Sequence, residues 1–403
     1  MKPLDGIIVL DLTRLLPGAV ASQMLTNFGA EVTKIEEPFR GDYAREMPPL
    51  IEGHGAFFVL TNYGKKSVAI DLKNPRGKQA FLRLVGRADV LIEGFRPGVM
   101  ERLGLGYELL RQHNERLIYT AITGYGQTGR HASLAGHDIN YAALGGLLSA
   151  IAGPGLSPFI PGVQLADLVG GSMQAVLGIL LALAARSTTG RGQMVDVAMT
   201  DGIMALLTVP LAEHLATKHE GTHQSKMLSG RYACYNIYEA LDGKWISVGA
   251  LEEKFWASLC QRLGCAPFIE DQFADDERQA AMMETLAKIF KTRNADEWFE
   301  MLGANDACVT PLNTIAEVVR DAHLREREMI VSVNHPSLGA IDQVGVSPRL
   351  SDTPGRLSSA PPPRLGEHTR EMLLWAGASH TEVEELERER IIGTGSDEIS
   401  RLD

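Results

Sequence analysis

Several kinds of chemistry find little to work with in this chain. Only four cysteines occur among 403 residues, Cys234, Cys260, Cys265 and Cys308, and no two form a CxxC pair. Neither a disulfide framework nor a thiolate zinc site is indicated, and a reducing, cytoplasmic setting is expected. Positive charge is in deficit: 39 lysines and arginines face 50 aspartates and glutamates, a formal net charge of −11. A general grip on nucleic acid or an anionic membrane is thereby excluded, and an anionic ligand has to meet a local basic cluster. Long apolar runs are also missing. The longest, 173–185, contains Gln174 and stops at Arg186, short of the roughly 20 residues a bilayer span needs. The N-terminal MKPLDGIIVLDL is interrupted by Asp11 and has no signal-peptide pattern. No association with nucleic acid or membrane is expected.

Nucleotide and metal motifs are equally sparse. LLPGAV after the first β-rich run holds one glycine, so no GxGxxG follows the first strand, and GxxxxGK[ST] is absent from the chain. His219 and His223 in HEGTH match the bare HExxH spacing, with His214 nearby. That motif needs one continuous helix to hold both imidazoles on a face, and Gly221 and Thr222 are poor helix formers. No metal site is predicted.

What is present is an ordinary globular composition, 45% hydrophobic and 22% charged, at a length beyond which one core usually stops growing, so two domains are expected. GIIVLDL, EVTKIEE, SVAIDL, DVLIEGF and LIYTAITGYG are β-rich runs separated by helical patterns. This alternation predicts an α/β fold with a parallel sheet. Ligands of such sheets gather at the carboxyl ends of the strands, which marks DLTRLLPG, EGFRPG and GYGQTG as loops of interest. From Gly230 the texture changes. A D-G dipeptide, Asp242-Gly243, joins two β-rich runs as a hairpin signal, and a mostly helical stretch follows to about Met329. A Pro- and Ser-rich connector then leads to a helix in GEHTREMLLWAGA, and the final residues read as a frayed tail. The predicted boundaries are a large α/β domain at 1–200 completed by 345–392, a linker at 201–227, a small α+β domain at 228–335 and a flexible tail at 393–403.

Three acidic or basic groups stand out for chemistry. AGHDINY sets His137 beside Asp138, and Asp167 follows thirty residues after His137 in VQLADLVGGS, where an apolar helix begins. Unpaired N–H groups at a helix start favour an ionised carboxylate. Taken alone, Asp167 reads more readily as a helix cap and His137 as a structural histidine than either does as a catalyst.

A resemblance extends this reading. DLTRLLPGAVASQMLTNFGAEVTKIEEP, KKSVAIDLKNPRGKQAFLRLVGRADVLIEGFRPGVMERLGLG, LIYTAITGYGQTGR, STTGRGQMVDVAMTDG and PRLGEHTREMLLWAG resemble the family III CoA-transferase and alpha-methylacyl-CoA racemase superfamily over residues 4 to 390. GHDINY with an aspartate thirty residues on resembles its racemase branch. The resemblance implies a large Rossmann-like, CoA-binding domain with a smaller α+β domain, two chains interlocked as a homodimer, and an active site shared between them. It implies His137 and Asp167 as two bases facing an α-carbon, Asp138 as a further catalytic candidate beside them, and Glu252 as the orienting partner of His137. The family has proline after that glutamate where this chain has Glu253.

Coenzyme A enters as part of an acyl-CoA thioester substrate, with no prosthetic group. The resemblance places its phosphates and adenine at Arg96, Leu72 and Lys73, with Lys65 and Lys66 nearby; where some racemases carry an arginine this chain has Glu37, so that one phosphate contact is either missing or supplied by Arg40. Two enzymatic readings follow: racemisation or epimerisation of a 2-methylacyl-CoA, and CoA transfer to a free carboxylic acid through an anhydride on Asp167. The backbone N–H groups around Gly170 and Gly171 are candidate donors to an enolate oxygen. A third reading, an inactive partner subunit, would leave Asp167 and His137 without a task.

Overall fold

Strand and helix alternate along the first half of the chain and build a seven-stranded sheet in the computed structural model, which describes residues 1–152, 158–218 and 228–395. Two compact units are present: Met1–Gly145 with Pro161–Ala205 and Ala322–Asp403, and Gly146–Ile160 with Leu206–Asp321.

In the first unit the strands are β1 (Ile8–Asp11), β2 (Glu31–Glu36), β3 (Lys66–Ile70), β4 (Val90–Glu93), β5 (Ile118–Thr123) and β6 (Met194–Ala198). Their order across the sheet is β3-β2-β1-β4-β5-β6, all parallel, with Ile392–Gly393 added antiparallel at the β3 edge. This is the doubly wound order, and its direction reverses between β1 and β4. Ligands of such sheets bind in the crevice outside the carboxyl ends at that reversal. The two loops leaving it are Leu12–Leu15 and Gly94–Gly98, both singled out by sequence.

Helices cover both faces, which is why the strands are buried almost end to end. On one face α2 (Pro75–Val85) packs with Thr369–Trp375 and His380–Arg388 around Leu10, Val68, Phe81, Leu84, Leu91 and Leu373. The side chain of Asn74 accepts the Arg76 N–H at 2.9 Å and Pro75 opens the helix, a start written in the sequence. On the other face lie α1 (Leu16–Asn27), α3 (Asp138–Leu144) and a long apolar helix. That helix begins as a π-helical turn, Ala166–Met173, and continues as α4 (Gln174–Thr189).

Together these 24 residues have the length and composition of a membrane span. Within the unit they pack on β5, β6 and α1, with Ala166, Ala175, Ile179 and Ala182 facing inward. The apolar helix expected to begin at Asp167 is thus present, and the small residues Ala166, Gly170, Gly171 and Ser172 carry its buried face ahead of the 173–185 apolar run.

The second unit holds β7 (Tyr235–Glu239), β8 (Trp245–Gly249) and β9 (Val309–Pro311), antiparallel in the order β9-β8-β7. Asp242 and Gly243 form the expected turn, with Gly243 at φ +78°. Around the sheet pack α5 (Glu253–Arg262), α6 (Asp276–Phe290) and α7 (Ala295–Leu302), whose Trp256, Met282, Phe290 and Trp298 form the core. The segment read from sequence as the start of a linker is helical over Met199–Gly202 and Thr208–Thr217. Pro210 falls in the first turn of the latter helix, where a missing N–H costs nothing. His219 and His223 lie outside the described residues.

Candidate active site

Asp11 at the carboxyl end of β1 anchors the first loop. Its carboxylate accepts the Thr13 N–H at 2.9 Å and the hydroxyls of Thr13 and Ser22 at 2.5 Å each. Register places Lys34 beside it, and the Lys34 ammonium donates to the Thr13 carbonyl at 2.8 Å and pairs with Asp42 at 2.7 Å. Lys65, expected near a phosphate, is buried instead: it donates to the Ala19 carbonyl at 3.0 Å and to Ser22 at 2.7 Å. Burial pushes its pKa down to about 7 against the pull of Asp11. For Asp11 the cost of burial is outweighed by Lys34 and Lys65, which hold its pKa low. This network fixes the loop ahead of α1, including Leu15 at φ +59°, a value side-chain-bearing residues rarely adopt.

That loop packs on the π-helical turn. The Ser172 hydroxyl donates to the Pro17 carbonyl at 2.7 Å, and a Cβ on Gly171 would come within 2.9 Å of the Pro17 side chain. A Cβ on Gly170 would lie 2.3 Å from the Met199 carbonyl oxygen. The glycine pair therefore has a packing role. The N–H groups at the start of the turn are those of Ala166 and Asp167, and both donate to one oxygen of Asp138, at 2.7 and 3.0 Å. Both are thus engaged by a side chain.

Asp138 thus joins α3 to the turn carrying Asp167. His137 sits just ahead of α3, its backbone N–H donating to the Asn140 side chain at 3.0 Å, and its ring is exposed. Asp167 is half-buried in the first turn. Burial first, and the Asp138 carboxylate second, push its pKa up to about 6, while His137 pulls in the opposite direction. Two acids and an imidazole therefore share one electrostatic neighbourhood, and Asp167 is poised to exchange a proton near neutrality.

Tyr141, within the same GHDINY segment, went unassigned from sequence. Its hydroxyl donates to the Gly136 carbonyl, and its ring meets Tyr125 edge-on at 5.1 Å. A Cβ on Gly124 would strike that ring at 2.1 Å, which accounts for the glycine opening GYGQTG. Burial chiefly, then Asp167, push the Tyr141 hydroxyl up to about 12, while Arg96 draws it down. Tyr141 is accordingly the group through which Asp167 and Arg96 are seen to lie near one another.

Arg96 follows β4, Leu72 and Lys73 follow β3, and Arg40 follows β2, so the carboxyl edge carries three exposed cations in a chain of net negative charge. The Glu37 carboxylate accepts the N–H groups of Phe39 and Arg40 at 3.1 and 2.7 Å and shapes the turn that bears Arg40. Leu72 packs partly against the core. Lys66 does not join this edge. It opens β3, roughly 13 Å of strand before Ile70, and its ammonium pairs with Glu371 at 2.8 Å.

Glu252 belongs to the second unit, immediately before α5, with its side chain exposed. Its carbonyl accepts the Phe255 and Trp256 N–H groups at 2.9 and 3.1 Å, and Glu253 opens the helix. The family's proline at that position would also suit a first helical residue, so the departure leaves the helix start intact.

The fold and this arrangement have counterparts among known proteins. The model of CoA-transferase family III matches residues 4–369. The alpha-methylacyl-CoA racemase of Homo sapiens is 37% identical over 395 residues, covering 96% of this chain and 97% of the relative. The succinyl-CoA–D-citramalate CoA-transferase of Chloroflexus aurantiacus is 33% identical, covering 97% of this chain and 98% of the relative. The crystal structure of a CaiB/BaiF family protein from Brucella suis superposes with a TM-score of 0.82 at 30% identity, over 93% of this chain and 99% of that one. An enzyme of racemase or transferase kind, built on this α/β scaffold, is the common content of these likenesses, and the chain belongs to CoA-transferase family III.

Proposed function

We propose that this enzyme racemises or epimerises the α-carbon of a 2-methylacyl-CoA thioester, with His137 and Asp167 as the two bases. The carrying observation is the imidazole of His137 in the electrostatic field of a half-buried Asp167 whose pKa stands near 6. A thioester acidifies its α-hydrogen, and inversion needs one group to take that proton and another to return it from the opposite face. An aspartate with a raised pKa is a stronger base than an ordinary carboxylate and, once protonated, a competent acid at near-neutral pH. Asp138 holds the turn bearing Asp167 and raises its basicity. Arg96, Lys73 and Arg40 supply the positive edge for the phosphates of coenzyme A, beside Leu72. Glu252 orients His137 from the second chain of a homodimer whose small domains span about 228–335. The high identity to racemases, above that to the transferases, favours this order of readings.

The test is to incubate the protein with (R)-2-methylacyl-CoA in deuterated water, with and without succinate. Deuterium at the α-carbon with loss of optical purity, independent of acid, is the expected result. CoA appearing on succinate without α-exchange would replace racemisation by transfer, with Asp167 as nucleophile.

A further inference from the structure

Glu93 closes β4 three residues before Arg96 and is 4% exposed. Its two oxygens are spoken for: one accepts the Phe95 N–H at 2.7 Å, the other the Tyr119 hydroxyl at 3.2 Å. What it lacks is a counter-charge. Among the described residues no lysine, arginine or histidine pairs with it, and the charged groups that face it are themselves acidic, Glu101 from the helix after the Arg96 loop and Asp196 from β6. Tyr119, on β5, is neutral and buried against Tyr107 at 5.6 Å. Buried carboxylates elsewhere in this unit behave otherwise: Asp11 has Lys34 and Lys65, and Glu36 has Arg45 at 2.7 Å. A buried acid without a cation is costly when ionised, so its persistence beside the sheet's reversal point calls for a role.

We propose that Glu93 is a positioning residue for the Arg96 loop whose protonation accompanies ligand binding, so that seating the phosphates of a CoA ester draws a proton from solvent onto Glu93. This rests on the acyl-CoA reading above. The carboxylate holds the turn that presents Arg96, yet its negative charge lies beneath the place an anionic ligand must occupy. An arriving phosphate adds to the field of Glu101 and Asp196 and tips the carboxyl towards its neutral form, which still accepts the Phe95 N–H. Burial already lifts the pKa to about 7, so the gain of a proton falls in the neutral range.

Calorimetry of an S-alkyl coenzyme A thioether, in buffers of different ionisation enthalpy, reads the proton uptake directly. Wild type is expected to take up a measurable fraction of a proton at pH 7.5 beyond that of Glu93→Gln, and its Kd to rise about threefold to tenfold more than the variant's between pH 6 and 8. Tyr119→Phe keeps the carboxyl but removes one donor, and is expected to move the uptake to higher pH; it carries the test should Glu93→Gln fail to fold. Equal uptake and equal pH dependence in wild type and the folded variants would overturn the proposal while leaving the acyl-CoA reading standing. No binding of the thioether by wild type would remove both.

Discussion

Asp167, the carboxylate proposed as one of the two bases, is stabilised less by its surroundings when charged than when neutral. Its pKa near 6 in the folded chain exceeds the ~3.9 of an unfolded aspartate. The folded state therefore holds the extra proton between about pH 4 and 6, stability falls as pH rises through that window, and the cost persists above it. Asp167→Asn is expected to raise stability at pH 8 by about 1–2 kcal/mol, allowing for partial exposure, while removing activity; thermal unfolding beside a rate assay checks both. The acidic limb of the pH–rate profile should lie near 6 in wild type. Asp138→Asn keeps an acceptor for the Ala166 and Asp167 N–H groups but withdraws a negative charge, so the limb should move down by about one unit. Spacing alone favours structural roles for Asp167 and His137, and it is the family pattern that makes them, with Asp138 beside them, the candidates. Tyr141 and Glu93 escaped because their meaning lies in what surrounds them: one is joined to Asp167 and Arg96 only by folding, and the other is remarkable for a missing cation.

At the scale of elements, strands and most helices follow from period and punctuation. The β-rich runs, the Asn74-Pro75 start of α2 and the Asp242-Gly243 turn all appear where local chemistry puts them. The π-helical turn does not. The widened turn packs against Pro17 and Met199 through Gly170, Gly171 and Ser172, a tertiary contact that no periodicity records. Gly170→Ala is the matching test. Its Cβ would meet backbone 2.3 Å away, so unfolding free energy in urea should drop by about 2–3 kcal/mol, with loss of activity from displacement of Asp167. An unchanged midpoint would show that the turn tolerates expansion.

For the whole molecule, the alternating runs imply a parallel sheet and the family resemblance a Rossmann-like domain, but the strand order, with its reversal between β1 and β4, is visible only in the fold. The partner of α4 is the other matter of this scale. Met173, Leu177, Leu180 and Leu181 form an exposed stripe along that helix, the kind of apolar face that buries itself in an assembly. Sedimentation equilibrium is expected to give a dimer, and Leu181→Glu to weaken it. A fully active monomer would contradict the shared site assigned to Glu252. The two-base account itself is tested most directly by α-proton exchange of each pure enantiomer of 2-methylacyl-CoA in deuterated water, with His137→Ala and Asp167→Asn. Each variant should lose racemisation yet still exchange the α-proton of one enantiomer, the opposite one in each case. Exchange of both enantiomers by either variant, or the same enantiomer by both, would contradict it.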